Sequence, residues 1–183
     1  SNLSFFRKKQ ELNKIFSSPN ASYGISLIKY FKIDKYLGIN LHRNIINTND
    51  PLGIWVQVEP CDKYQFTNNE KQYMKAILDI LKDKNISNME LYKKGNYVCY
   101  IAAQILGINA VEIYDRYDKL PIKNKSDIAL KTIDIINYLN LKDKSKVKLI
   151  INDLEEKIIN NEINNDELEI KKYLIDTYEN NML

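Results

Sequence analysis

The sequence predicts a mainly α protein: a helical bundle with a helix-turn-helix-like pair and a short β element near 53–66. Three observations predict it. Apolar residues recur three or four positions apart over most of the 183 residues. Segments open on capping signals, such as Thr67 followed by Glu70. Strict alternation, the mark of a strand, occurs at Ile54, Val56 and Val58.

The elements follow in order. Phe5, Phe6, Leu12, Ile15 and Phe16 give a first amphipathic stretch, stopped near Pro19. Ile25, Ile28, Phe31 and Tyr36 or Leu37 continue at helical spacing, and Gly38 suits a helix end. Asp50-Pro51 and Leu52-Gly53 punctuate a turn before the expected strand, which Pro60 ends; a partner strand is expected near Tyr64 to Phe66. From Thr67 the chain reads as helix, with Tyr73, Met74, Ile77, Leu78 and Leu81 on one face. Ser87 with Glu90 opens a short helix that stops at Gly95. Residues 97–106 form the most apolar segment, broken by Gly107, and Asn109 with Glu112 opens the next helix, which ends before Pro121. Ser126 and Ser145 are expected to cap two further helices, faced by Leu130, Ile133 and Ile136 and by Ile150, Ile151 and Leu154. A last helix starts near Asn165. The expected organisation is an N-terminal helical part with the β element, 1–66, and a C-terminal helical bundle, 67–183.

Composition narrows the chemistry. Asn, Ile and Lys fill 74 of the 183 positions, and their shared A/T-rich codons point to an AT-rich genome rather than to function. No run of about 18 apolar residues exists, so no membrane-spanning helix is expected. Cys61 and Cys99 form no CxxC motif, and the reading is two free thiols in a reducing, cytoplasmic compartment. The lone histidine, His42, lies in a loop-like stretch and reads as a surface residue. No glycine-rich phosphate loop is present. The chain therefore reads as non-catalytic, with no cofactor and no metal. The net charge of +3 is carried by residues 1–60, at +4; residues 61–183 sum to −1. Arg7, Lys8 and Lys9 beside Phe5 and Phe6 could also sit at a membrane surface, although packing of a first helix explains those phenylalanines equally well.

One motif carries a functional reading. A helix-turn-helix needs a small residue where its two helices cross and a glycine at the left-handed turn. Ala103 and Gly107 supply them, with Leu106, Ile108 and Ile113 as apolar flanks. The stretch Ala102 to Ile122 resembles the Fis-type helix-turn-helix through Ala102-Ala103, Leu106-Gly107-Ile108, Ile113-Tyr114, Arg116-Tyr117, Lys119-Leu120 and Ile122. The resemblance implies a DNA-binding regulator whose second helix lies in the major groove of duplex DNA. It places Asn109 and Tyr114 toward the bases and Arg116, Lys119, Lys123 and Lys125 toward phosphates. A homodimer through 126–180 is expected with it. Glu112, Asp115 and Asp118 depart from a basic reading helix. The alternative is a helical protein–protein interaction module, an adaptor or assembly component or the soluble part of a membrane-anchored protein, that binds no nucleic acid.

Overall fold

The computed structural model describes residues 3–41, 44–141 and 143–179, and His42 lies outside them. The chain divides into two compact units. Unit 1 comprises Ser1–Ile86 and Asn96–Tyr114; unit 2 comprises Ser87–Gly95 and Asp115–Leu183. The boundary read at residue 66 falls within unit 1. Among the described residues the chain is mainly helical and forms no strand.

Unit 1 begins with α1 (Phe5–Phe16), α2 (Ala21–Tyr30) and the short α3 (Asp34–Leu37). The Ser4 hydroxyl accepts from the Arg7 N–H and starts α1, while Gly38 in the left-handed region stops α3. Leu12, Phe16, Ile25 and Ile28 turn inward from α1 and α2 onto Ile54, Trp55 and Tyr64. Trp55 is the hub. Its ring lies 5.1 Å from Phe16, 4.9 Å from Tyr64 and 5.4 Å from Phe66, and its Nε1 donates to Asn13 Oδ1 at 2.7 Å. Burying an indole this deep requires a partner for its N–H, and Asn13 provides it.

The β element expected near 53–66 is absent. Residues Pro51–Trp55 form a helix instead, α4, because Asp50 caps it by accepting from the Leu52 N–H at 2.8 Å and Pro51 occupies its first turn. Ile54, Trp55, Val56 and Val58 are all buried, so the alternation does not separate an inner from an outer face. Two hydrogen bonds clasp the neighbouring segments: Asn40 N–H to the Val58 carbonyl at 2.6 Å and Cys61 N–H to the Gly38 carbonyl at 2.9 Å.

Unit 1 continues with α5 (Asn68–Asp83), whose start is the capping box read from the sequence. Thr67 accepts from the Glu70 N–H while the Glu70 carboxylate accepts from the Thr67 N–H. The next element, α6 (Asn88–Leu106), is two helices meeting at Gly95, whose φ of 80° and ψ of 165° suit glycine alone. Residues 88–94 belong to unit 2 and the apolar half after Gly95 to unit 1. α7 (Val111–Asp118) follows.

Unit 2 adds α8 (Thr132–Tyr138), α9 (Lys144–Ile159) and α10 (Glu167–Leu174), the last running into a π-helical turn, Ile175–Glu179. Two caps differ from the sequence reading. Ser126 lies inside a 3₁₀ turn, Lys125–Asp127, capped by Asn124 with Asp127, and α8 starts only at Thr132. Asp143 rather than Ser145 caps α9, accepting from the Ser145 N–H at 2.8 Å. In both places an Asx side chain two residues upstream takes the backbone N–H of the serine. Ile150, Leu154 and Ile158 from α9 and Ile170 and Leu174 from α10 are buried in this unit. The Tyr173 and Tyr178 hydroxyls both donate to Asp153 Oδ2 at 2.6 Å.

Candidate functional site

The residues expected to touch nucleic acid divide between the units. In unit 1 the turn after α6 is set by Gly107 at φ 71°, with the Ile108 N–H closing back onto the Ala103 carbonyl at 2.9 Å. Ala102, Ala103 and Ile113 are fully buried beside it. Asn109 is exposed and caps α7, accepting from the Val111 N–H at 3.3 Å and donating from Nδ2 to Glu112 at 2.7 Å. Tyr114 is exposed on α7, its ring 5.1 Å from that of Tyr100.

Unit 2 holds the four cations. Arg116 is half-buried, and its guanidinium donates to Asn88 Oδ1 at 3.0 Å. Lys119 is exposed. The Lys123 ammonium donates to the Tyr117 carbonyl and sits 4.8 Å from the centre of the Tyr117 ring. Lys125 pairs with Glu155 at 3.1 Å and donates to Asn152 at 2.9 Å. Lys123 and Lys125 share a cleft of about 450 Å³ with Lys93, Tyr92 and Glu155.

That cleft has a floor no sequence signal announces. Glu155 is buried and accepts from the Tyr92 hydroxyl, 63 residues away. Burial and this hydrogen bond both push the Tyr92 phenol above its ordinary range, so it stays a donor at any physiological pH. The α9 pattern could have marked only that residue 155 follows the buried Leu154. In unit 1 the same arrangement recurs: the Tyr97 hydroxyl donates to Asp50 at 2.9 Å, and burial with that bond raises the phenol. Among the described residues no three metal-ligating side chains gather, and no helix is long and apolar enough to cross a membrane. Cys61 and Cys99 are not bonded to each other as a disulfide.

Residues 58–174 match the family model described as tRNA nucleotidyltransferase domain 2, putative, and the chain belongs to this family. Two curated relatives are similar in sequence: the CCA-adding enzymes of Listeria monocytogenes serotype 4b (strain F2365) and serotype 4a (strain HCC23). Each is 29 % identical over 136 residues, covering 67 % of this chain and 35 % of the relative. The chain thus spans about a third of the length of the curated relatives it matches. In fold it resembles the Bacillus stearothermophilus CCA-adding enzyme, solved in complex with CTP, with a TM-score of 0.72 and 17 % identity over 98 % of this chain and 54 % of that one.

These findings overturn the Fis-type reading and what it implied. The chain belongs neither with DNA-binding regulators nor with adaptors; its family is named for an enzyme, so the non-catalytic expectation and duplex DNA as partner are both withdrawn. The matched residues 58–174 contain the whole stretch 102–122. The misreading has a physical cause. A small residue where helices cross and a left-handed glycine at the turn are steric requirements of any tight two-helix connection, not of groove reading. Charge discriminates better, and here Glu112, Asp115 and Asp118 line the second helix.

Proposed function

We propose that this chain is the tRNA-holding helical part of a tRNA nucleotidyltransferase of the CCA-adding kind. The match of residues 58–174, reaching into both units, is the observation that supports it. In this reading Lys119, exposed on unit 2, neutralises a tRNA phosphate, and Asn109 and Tyr114 on unit 1 offer polar and aromatic contacts. Arg116, Lys123 and Lys125 are tied to Asn88, to the Tyr117 carbonyl and to Glu155, and they shape the unit rather than reach outward.

The test is filter binding of the 183-residue chain to a labelled tRNA transcript lacking its 3′ CCA, against duplex DNA of equal length, over a series of salt concentrations. Preference for tRNA, with affinity falling log-linearly as salt rises, is expected. Equal affinity for the two, or no tRNA binding at low salt, overturns the reading.

A further inference from the structure

Unit 1 exposes aromatic rings where its core has no use for them. On α2, Tyr23 and Tyr30 are 67 % and 78 % exposed and lie on one face with Leu27, at i, i+4 and i+7. Phe31, 64 % exposed, continues the face with its ring 5.1 Å from Tyr30. Tyr36 of α3 is half exposed and held from behind: the buried Lys8 ammonium lies 4.1 Å from its ring centre and donates to its carbonyl at 2.5 Å.

Cations alternate with these rings along the sequence, Lys29 on the flank of α2 beside Ser22 and Ser26. Lys29, Lys32 and Lys35 are exposed, and among the described residues none of them forms an ion pair. Asp34 is the single acidic residue between Ala21 and Leu41 within the described chain. By contrast Glu11 on α1 is already shared by Arg7 and Lys14, each at 3.1 Å.

We propose that this α2–α3 face binds an unpaired stretch of the RNA substrate, its rings stacking on bases and its lysines meeting phosphates. The inference rests on the tRNA reading above and assigns part of that recognition to a surface outside the cleft and the turn. Three observations favour this occupant. Rings interleaved with cations are the composition of single-strand binding surfaces, which stack bases and neutralise the backbone together. The rise from Tyr23 to Tyr30 is about 10 Å, room for roughly three stacked bases. Uncompensated lysines suit a polyanion, whereas protein interfaces are depleted in lysine at their centres.

The experiment uses the full chain and three labelled probes: an unpaired RNA of about 12 nucleotides, a fully paired RNA, and tRNA lacking CCA. Two variants are compared with the parent, Tyr23→Ala/Tyr30→Ala/Phe31→Ala and Lys29→Ala/Lys32→Ala/Lys35→Ala. All six side chains point to solvent, and thermal melts check that both variants fold. The ring variant is expected to bind the unpaired RNA about tenfold or more weakly with an unchanged salt slope, since stacking releases no counterions. The lysine variant is expected to flatten that slope by up to about 2, near 0.7 per phosphate on a single strand. If the parent binds tRNA and both variants bind the unpaired RNA as well as it does, this proposal fails and the tRNA reading stands. Equal losses on paired RNA also overturn it, by reducing the face to a non-specific charge. Two further results overturn it: binding of 3:1 phosphatidylcholine–phosphatidylglycerol vesicles in place of RNA, or self-association in sedimentation, either being abolished in the ring variant. A parent that binds no RNA of any kind ends both proposals.

Discussion

The Lys9 ammonium lies 2.9 Å from both carboxylate oxygens of Glu70, joining α1 to the capping box of α5 across 61 residues of sequence. The same ammonium donates to the Gln65 carbonyl at 2.9 Å and sits 4.3 Å from the Phe66 ring centre. One carboxylate thus ends a local capping motif and begins a long-range contact.

Stability should report this carboxylate through pH. Burial alone would raise the Glu70 pKa from 4.5, but the Lys9 and Thr67 hydrogen bonds outweigh it and hold it lower. A carboxyl lowered on folding stabilises above its unfolded value and loses that contribution as pH falls through its native one. Glu70→Gln should therefore cost about 1 kcal/mol at neutral pH. In denaturant titrations the gap to the parent should narrow as pH drops below 4.5. A gap unchanged at low pH would show that the charge plays no part.

The indole of Trp55 sets up a second prediction. Asn13→Ala leaves a buried N–H without its acceptor and should cost about 1–3 kcal/mol. Trp55 is the only tryptophan in the chain, so its emission follows unfolding directly. In a double-mutant cycle with Trp55→Phe, followed by circular dichroism because that background lacks the indole, the Asn13 substitution should cost much less, because the donor is already gone.

Two glycines should respond differently to alanine. A Cβ on Gly53 would stand 2.3 Å from Thr48 Oγ1 and 2.8 Å from Ile101, both buried, so the neighbours must shift to admit it. A Cβ on Gly107 meets nothing within 4 Å, and only its left-handed backbone resists. Gly53→Ala should lose about 1–3 kcal/mol by overpacking. Gly107→Ala should lose about 1 kcal/mol. Thermal melts rank the two, and a reversed order contradicts this account.

The lysines of unit 2 separate contact from scaffold. Lys119→Ala should weaken tRNA binding and lower the salt slope by just under 1, whereas Lys125→Ala, whose ammonium is paired with Glu155, should change the slope much less. Lys123→Ala should leave the slope alone and lower the melting temperature, because its ammonium is engaged by the Tyr117 and Leu120 carbonyls. A slope change from Lys123→Ala would place that side chain on the RNA instead.

Much of the helical layout was legible in the chain. The Thr67–Glu70 box, the Ser87–Glu90 start, the stop at Gly95 and the left-handed Gly38 and Gly107 all act within four or five residues, and short-range rules capture such events. The errors have equally local causes. At 50–58 a cap and an N-terminal proline overrode an alternation whose apolar residues Ile54, Val56 and Val58 are buried together with Trp55. At Ser126 and Ser145 an upstream Asx side chain claimed the turn. The candidate site was less legible. The sequence nominated Lys123 and Lys125, but nothing in it marked Tyr92 and Glu155 as the floor of their cleft.

By itself, then, the sequence determined the helical class, starts such as Thr67 and Ser87 and the glycines that bend the backbone, because those choices are made against neighbours along the chain. The tertiary structure alone decided which partners the buried Ile54, Trp55, Val56 and Val58 face, which lysines are spent internally and which stay free for a ligand, and that the chain forms two units. Those outcomes depend on pairs such as Lys9 with Glu70 and Tyr92 with Glu155, more than sixty residues apart, whose meeting no periodicity encodes.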